Sequence, residues 1–380
     1  MIIKKKHILV LPSWYPNSYN KSSGNFNKAY VNELSRENKL SVLHVEHRKE
    51  VNKIELSSNL NPTGLEVIVY VPIYKGFLAK TKNNINFFKA CEKGFIHVKK
   101  EVGYVDLVHN MVVWKMGLFA LKLKDKYGIP YIVTEHSTAL MDKHKAYNRF
   151  QKLFIIKVLK NASMVTAVSE KLLKGINTLT RSKSKGMVVP NIININQRSA
   201  HNELLKNTFV HVSSLNEDQK NISGILNAIK LNPKANLHVI GGNNEENIKA
   251  FQKMVYEKKL GDRVTMLGNL PQGEVLNLLD KYEAMLHFSN YESFSLVCAE
   301  AMSVGLPVVF TACGGPEEFL DTESGVMVEI GDENALSIAI HDIMNKSNLF
   351  DRERIRKKFK NSFNNKNVVV AFTKLYTEIS

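Results

Sequence analysis

Strand-length apolar runs alternate with longer segments of helical periodicity, and the chain goes through this pattern twice. In the first pass, strands are expected at 7–11, 40–45, 67–71, 106–109, 131–134, 164–168 and 187–189. Helices are expected between them at 22–36, 83–101, 114–127, 146–160 and 170–179. Such alternation builds a parallel sheet wrapped by helices, and ligands of such sheets sit at the carboxyl ends of the strands. Pro190-Asn191 closes the first series, and 192–207 is polar and aperiodic, the composition of a linker. Strands then resume at 208–214, 237–240, 264–267, 284–289 and 307–311, with helices at 222–231, 333–344, 352–360 and 368–379. The expected division is 1–191, a linker at 192–207, and 208–361, with a last helical stretch at about 362–380. A length of 380 residues fits two or three domains.

Charge separates the halves. Residues 1–200 hold 33 Lys+Arg against 13 Asp+Glu, and residues 201–380 hold 19 against 23. The basic half is expected to meet something anionic: nucleic acid, a phospholipid surface or a phosphorylated acceptor. Two of its segments, 83–100 and 143–160, mix lysines with Phe and Ile and suit an anionic membrane surface or, equally, the cover of a sheet. No apolar run approaches a membrane span, and Lys4-Lys5-Lys6 leads into Pro12 with no small-residue cleavage site. A cytoplasmic protein is expected, with peripheral attachment to the inner face of the plasma membrane as the extension of that reading. Cys91, Cys298 and Cys313 lie too far apart for a disulfide framework or a metal site. Phosphate-loop, nucleophile-elbow, zinc and RNA-binding motifs are absent, so no nucleic-acid partner is expected.

The stretch with the most chemistry is Tyr291-Glu292-Ser293-Phe294-Ser295-Leu296-Val297-Cys298-Ala299-Glu300, between an apolar strand and the helix stop Gly305-Leu306-Pro307. Ser293 or Ser295 can cap the helix. The amides of Phe294, Ser295 and Leu296 would then form a phosphate site at the positive end of the helix dipole. Glu300, a turn deeper, could accept from a ribose diol, and Glu292 from a sugar hydroxyl. On spacing alone, a capped surface helix with two unrelated glutamates explains the stretch equally well.

Residues 293–308, Ser-Phe-Ser-Leu-Val-Cys-Ala-Glu-Ala-Met-Ser-Val-Gly-Leu-Pro-Val, with Glu292 before them, resemble the signature of the family 4 retaining glycosyltransferases of bacterial glycan biosynthesis. Ala312-Cys313-Gly314-Gly315-Pro316-Glu317-Glu318 and the glycine-bearing stretch 325–332 are similar too, and matches recur from Leu11 to about Ala335. The resemblance implies a GT-B fold: α/β, two Rossmann-like domains whose parallel sheets face an interdomain cleft, the last helix packing back on the first domain. It implies an N-terminal acceptor domain and a C-terminal donor domain. Glu292 and His136 would orient the sugar as catalytic residues. Donor binding would fall to Gly24 in the Ser13-Trp14-Tyr15-Pro16 loop region, Lys220, Asn269, Leu270, Phe294, Ser295, Leu296 and Glu300. Ser214 stands where the family places an arginine against the phosphates, a departure from its pattern.

The implied activity is metal-independent hexosyl transfer, with retention of configuration. The sugar passes from a UDP- or GDP-linked nucleotide-sugar to a glycan or lipid-linked acceptor in cell-surface polysaccharide or lipopolysaccharide synthesis. No cofactor is expected, and no Asp-x-Asp occurs to suggest a metal-diphosphate site. Other readings are a nucleotide-sugar epimerase or glycan phosphorylase on the same fold, or a non-catalytic protein that binds anionic surfaces. His109 and Glu135, also at strand ends, are further candidates, Glu135 as a general base.

Overall fold

The computed structural model describes residues 5–21, 23–141, 147–181, 186–193, 203–242, 244–346 and 349–379. Ser22, Lys143, Lys145, Ala146 and most of the expected linker lie outside them. The chain forms two compact units, Met1–Ile192 with Asn365–Ser380, and Ile193–Asn364.

Unit 1 is built on an eight-stranded sheet: β1 His7–Pro12, β2 Lys39–Arg48, β3 Glu55–Asn61, β4 Gly64–Pro72, β5 Leu107–Met111, β6 Tyr131–Glu135, β7 Met164–Ala167 and β8 Gly186–Val188. Its order is β3-β4-β2-β1-β5-β6-β7-β8. All neighbours are parallel except β3, which pairs antiparallel with β4 from Glu55↔Tyr70 to Asn61↔Gly64. The sequence reading has no strand at β3, because Glu-Leu-Ser-Ser-Asn-Leu-Asn is polar and mostly exposed. An edge strand needs no apolar pattern when its partner supplies the hydrogen bonds. The central strands β1, β5 and β6 are buried along their whole length, as a sheet covered on both faces requires.

The last helix, Asn365–Ile379, returns to unit 1 and buries Val368, Val369, Phe372, Leu375 and Tyr376. His109 on β5 fixes it there. Its Nδ1 bonds the Tyr376 hydroxyl and its Nε2 the Thr134 hydroxyl, both at 2.6 Å, and Thr134 continues to Thr166 at 2.7 Å. His109 is therefore part of the packing that holds the C-terminal helix.

Unit 2 carries six parallel strands: β9 Thr208–Ser213, β10 Asn236–Gly241, β11 Val264–Gly268, β12 Met285–His287, β13 Val308–Thr311 and β14 Gly325–Val328, in the order β11-β10-β9-β12-β13-β14. The order reverses between β9 and β12, where both strands send their carboxyl-end loops to the same place. The helices Glu245–Glu257 and Gln272–Leu279, the short helix Glu217–Lys220 and strand β14 are additional to the sequence reading, and the Gln272–Leu279 helix carries a site residue.

Candidate functional site

The carboxyl ends of β9 and β12 bring a lysine and a carboxylate together. After β9, Asn216 accepts from the Gln219 amide at 3.0 Å and caps a single helical turn, Glu217–Lys220. That turn delivers Lys220 to the Glu292 Oε1 oxygen as a mostly buried ion pair. Ser289 Oγ donates to the same oxygen at 3.0 Å, and Gln219 Nε2 donates to Oε2 at 3.3 Å. The Glu292 amide donates to the Cys313 carbonyl at 3.1 Å, which ties the loop to the end of β13.

Two histidines lie behind this pair. His211 donates from Nδ1 to the Leu286 carbonyl and accepts at Nε2 from Ser213 Oγ, both at 2.8 Å. Burial pulls it down to about 4. His287 Nε2 is 3.6 Å from Glu292 Oε1, and burial, then the Lys220 and His211 charges, hold it well below the usual histidine range. Both rings are neutral at neutral pH, so Lys220 supplies the positive charge beside Glu292.

The helix after Glu292 runs Leu296–Ser303. Ser295 occupies its N-cap position but is left-handed, at φ 76°, and its hydroxyl bonds Cys298 Sγ at 3.2 Å instead of a backbone amide. The expected serine cap is thus absent at Ser295, and the amides of the first turn belong to Leu296, Val297 and Cys298, shifted from the expected 294–296. Phe294 is buried against Phe319 and Phe363. Gly315 explains the tight approach of the neighbouring loop: a Cβ there would lie 2.6 Å from Phe294 Cα and N. A glycine at that position lets the 314–315 backbone cover the helix start.

Glu300, in the second turn, is buried and accepts from Gln272 Nε2. Burial pushes its carboxyl up to about 7, and the Gln272 bond opposes that only in part. Asn269 is exposed and Leu270 half-buried in the loop between β11 and the Gln272–Leu279 helix, so this loop and Glu300 share a neighbourhood through Gln272. Ser214 is half-buried after β9, its carbonyl accepting from Asn247 Nδ2 at 3.2 Å. Lysine, two carboxyls, a helix start and the β11 loop therefore converge at one end of one sheet.

Models of two protein families match consecutive parts of the chain: "Glycosyltransferase Family 4" over residues 54–197 and "Glycosyl transferases group 1" over 194–362. The chain belongs to glycosyltransferase family 4. It is 26% identical over 281 residues to an uncharacterized glycosyltransferase of Methanocaldococcus jannaschii, covering 73% of this chain and 76% of that one. It is 25% identical over 237 residues to the N-acetyl-alpha-D-glucosaminyl L-malate synthase of Bacillus anthracis, covering 58% and 61%. The Anabaena protein HepE, solved in complex with UDP-glucose, shares the fold with a TM-score of 0.77 at 15% identity, covering 98% of this chain and 100% of that one. The fold is GT-B.

In unit 1 of this glycosyltransferase, Gly24 begins the Asn25–Leu34 helix at φ 63°, where a Cβ would fall 2.2 Å from the Trp14 carbonyl oxygen. That helix packs Phe26 and Tyr30 against His136, ring centroids 4.8 and 5.5 Å away. His136, just past β6, donates from Nδ1 to Asn191 Oδ1 at 3.0 Å, and burial lowers it to about 3, a neutral imidazole. Glu135 beside it is wholly buried. Its Oε2 accepts from the Val113 amide at 2.9 Å, and its Oε1 from the Ser137 and His136 amides at 2.8 and 3.1 Å. Those amides hold Glu135 between the loops after β5 and β6, and burial, which the amides oppose, pushes its carboxyl up to about 7.

Gln272, Ser289 and Gln219 are the site residues missed in sequence. A polar residue opening an unrecognised short helix is the only local signal for Gln272. For the other two there is none short of the strand pairing.

Proposed function

We propose that the chain transfers a hexosyl group from a UDP- or GDP-linked nucleotide-sugar to a glycan or lipid-linked acceptor, with retention of configuration, in cell-surface polysaccharide or lipopolysaccharide synthesis. The Lys220–Glu292 pair beside the start of the Leu296–Ser303 helix carries this reading. Structures of HepE with UDP and with UDP-glucose support a nucleotide-sugar ligand for the shared fold. The diphosphate takes the positive helix end and draws the Lys220 ammonium from Glu292. This frees Glu292 Oε1 to accept from a donor-sugar hydroxyl, while Oε2 stays held by Gln219. Glu300 accepts from the ribose diol, and the Asn269–Leu270 loop meets the base. His136 contributes a neutral imidazole in unit 1.

As the glycosidic bond breaks, negative charge develops on the departing diphosphate. Lys220 and the amides of Leu296, Val297 and Cys298 stabilise it electrostatically, the work a metal does elsewhere. The leaving phosphate accepts the proton of the acceptor hydroxyl, so no dedicated base is required. Unit 1 takes the acceptor.

Thermal shifts with a panel of nucleoside diphosphates, then mass spectrometry with activated donors, test the assignment. Glu300→Ala should weaken nucleotide binding at least about tenfold, the loss of a charge-assisted hydrogen bond. Glu292→Ala should keep nucleotide affinity and lower turnover about a hundredfold. Near-normal kinetics in both variants would remove both roles.

A further inference from the structure

The strand order of unit 1 reverses between β1 and β5. The loops leaving those two strands part there and open the crevice where such sheets take ligands. One side of it is the loop 112–115, between β5 and the Met116–Tyr127 helix. This loop is strained. Val112 and Lys115 are left-handed, at φ 70° and 61°. Neither is a glycine, and such a conformation persists only where the surroundings over-determine it.

Three side chains hold the loop. Ser13 Oγ, just past β1, donates to the Val112 and Trp114 carbonyls at 3.0 and 3.2 Å. Asn110 Nδ2 donates to the Val112 carbonyl at 3.3 Å. Glu135 Oε2 accepts from the Val113 amide at 2.9 Å, while its Oε1 accepts from the Ser137 and His136 amides of the loop after β6. Of these three, Glu135 alone is ionisable, and it is fully buried. A carboxylate can accept all three amides. A protonated carboxyl carries a hydrogen on one oxygen, which competes with an amide for the same place. Protonation therefore sets Glu135 against one loop or the other.

We infer that Glu135 is a positioning residue for the acceptor: its ionised carboxylate holds the strained 112–115 loop against the His136–Ser137 turn in the arrangement that shapes the unit 1 crevice, and protonation lets the strained loop relax. The purpose of this tie rests on the reading that unit 1 takes the acceptor. Its test uses no substrate or nucleotide, so the tie and that reading can each fail alone.

The change falls near neutral pH, because burial pushes the carboxyl up and the amides oppose it, leaving it at about 7. The neighbouring titratable groups stay neutral there. Burial pulls His136, and His109 on β5, down to about 3, and pushes Tyr147, ahead of the Arg149–Asn161 helix, up to about 12. β7, on the other side of β6, has no titratable residue. Lys115 is the cation of the facing loop, and burial lowers it from the usual lysine value.

The chain has two tryptophans, and Trp114 lies in the loop with its ring centroid 5.6 Å from that of Tyr147. Trp14→Phe leaves Trp114 as the reporter. Its emission should shift between about pH 8.5 and about pH 5.5, with a midpoint near the carboxyl's value. Glu135→Gln in the same background carries no charge and should show the low-pH emission throughout, with melting curves checking that it folds. Amide hydrogen exchange on the unaltered chain gives a second measurement that decides alone where the variant fails to fold. Corrected for intrinsic rate, protection of the Val113 amide should fall at least about tenfold from about pH 8 to about pH 6. The Val108 amide, which donates to the Pro130 carbonyl at 3.0 Å within the sheet, should hold steady. Flat emission in the Trp14→Phe chain, a transition that survives in Glu135→Gln, or Val113 protection that tracks Val108 would overturn the inference.

Discussion

Replacing Glu300 by Gln separates the cost of this carboxyl to the fold from its use to a ligand. Burial moves it from 4.5 to about 7, which means the fold prefers the neutral form. The sign follows: its contribution to stability is complete below about pH 4.5 and is lost as pH rises to about 7. At about 1.4 kcal/mol per pH unit, that move makes the ionised side chain cost unit 2 about 3 kcal/mol in alkaline solution. Gln is neutral at every pH and keeps an oxygen for Gln272 Nε2. Glu300→Gln should therefore melt higher than the parent by several degrees at about pH 8, with the gap closing toward about pH 5.

Ligand affinity should run the other way. In the proposed role a ribose diol donates to the ionised carboxylate, which links binding to its ionisation. The parent's affinity for a nucleotide-sugar should fall about tenfold from about pH 8 to about pH 6, while the Gln variant binds weakly and with a flat profile. A nucleotide-sugar is the right probe because its bridged diphosphate does not titrate in this window. Calorimetric titration and thermal melts across the range provide the assay. A Gln variant that melts no higher in alkaline solution, together with a flat parent profile, would refute the reasoning.

Two further outcomes test unit 1. Gly24→Ala places a Cβ against the Trp14 carbonyl at a left-handed φ of 63°, and thermal denaturation should show a loss of about 2 kcal/mol or more, with turnover falling as the Phe26 contact to His136 shifts. His109→Leu strips partners from Tyr376 and Thr134 and should cost about 1–3 kcal/mol in the same melts, with nucleotide affinity unchanged because the residue only anchors the last helix.

Much of this was legible in the chain itself. The repeated alternation of apolar runs and helical segments determines two parallel sheets, because buried parallel strands must be apolar along their length. The expected strands in both units recur in the structure with ends moved by a few residues. Spacing also put Glu292 in a strand-to-helix turn and Glu300 one turn into the helix, since a helix turn is a local property. What sequence could not supply is pairing. β3 has no pattern of its own and exists because β4 offers it an edge. Ser295 looked like a cap by residue type, but its left-handed backbone turns the hydroxyl to Cys298. His109, His136 and Glu135 all follow or close apolar strands and read alike in sequence. Only the packing gives the first to the C-terminal helix, the second to Phe26 and Asn191, and the third to three amides. Strand periodicity is written in neighbouring residues, whereas the partner and charge state of a buried polar group depend on residues distant in the chain.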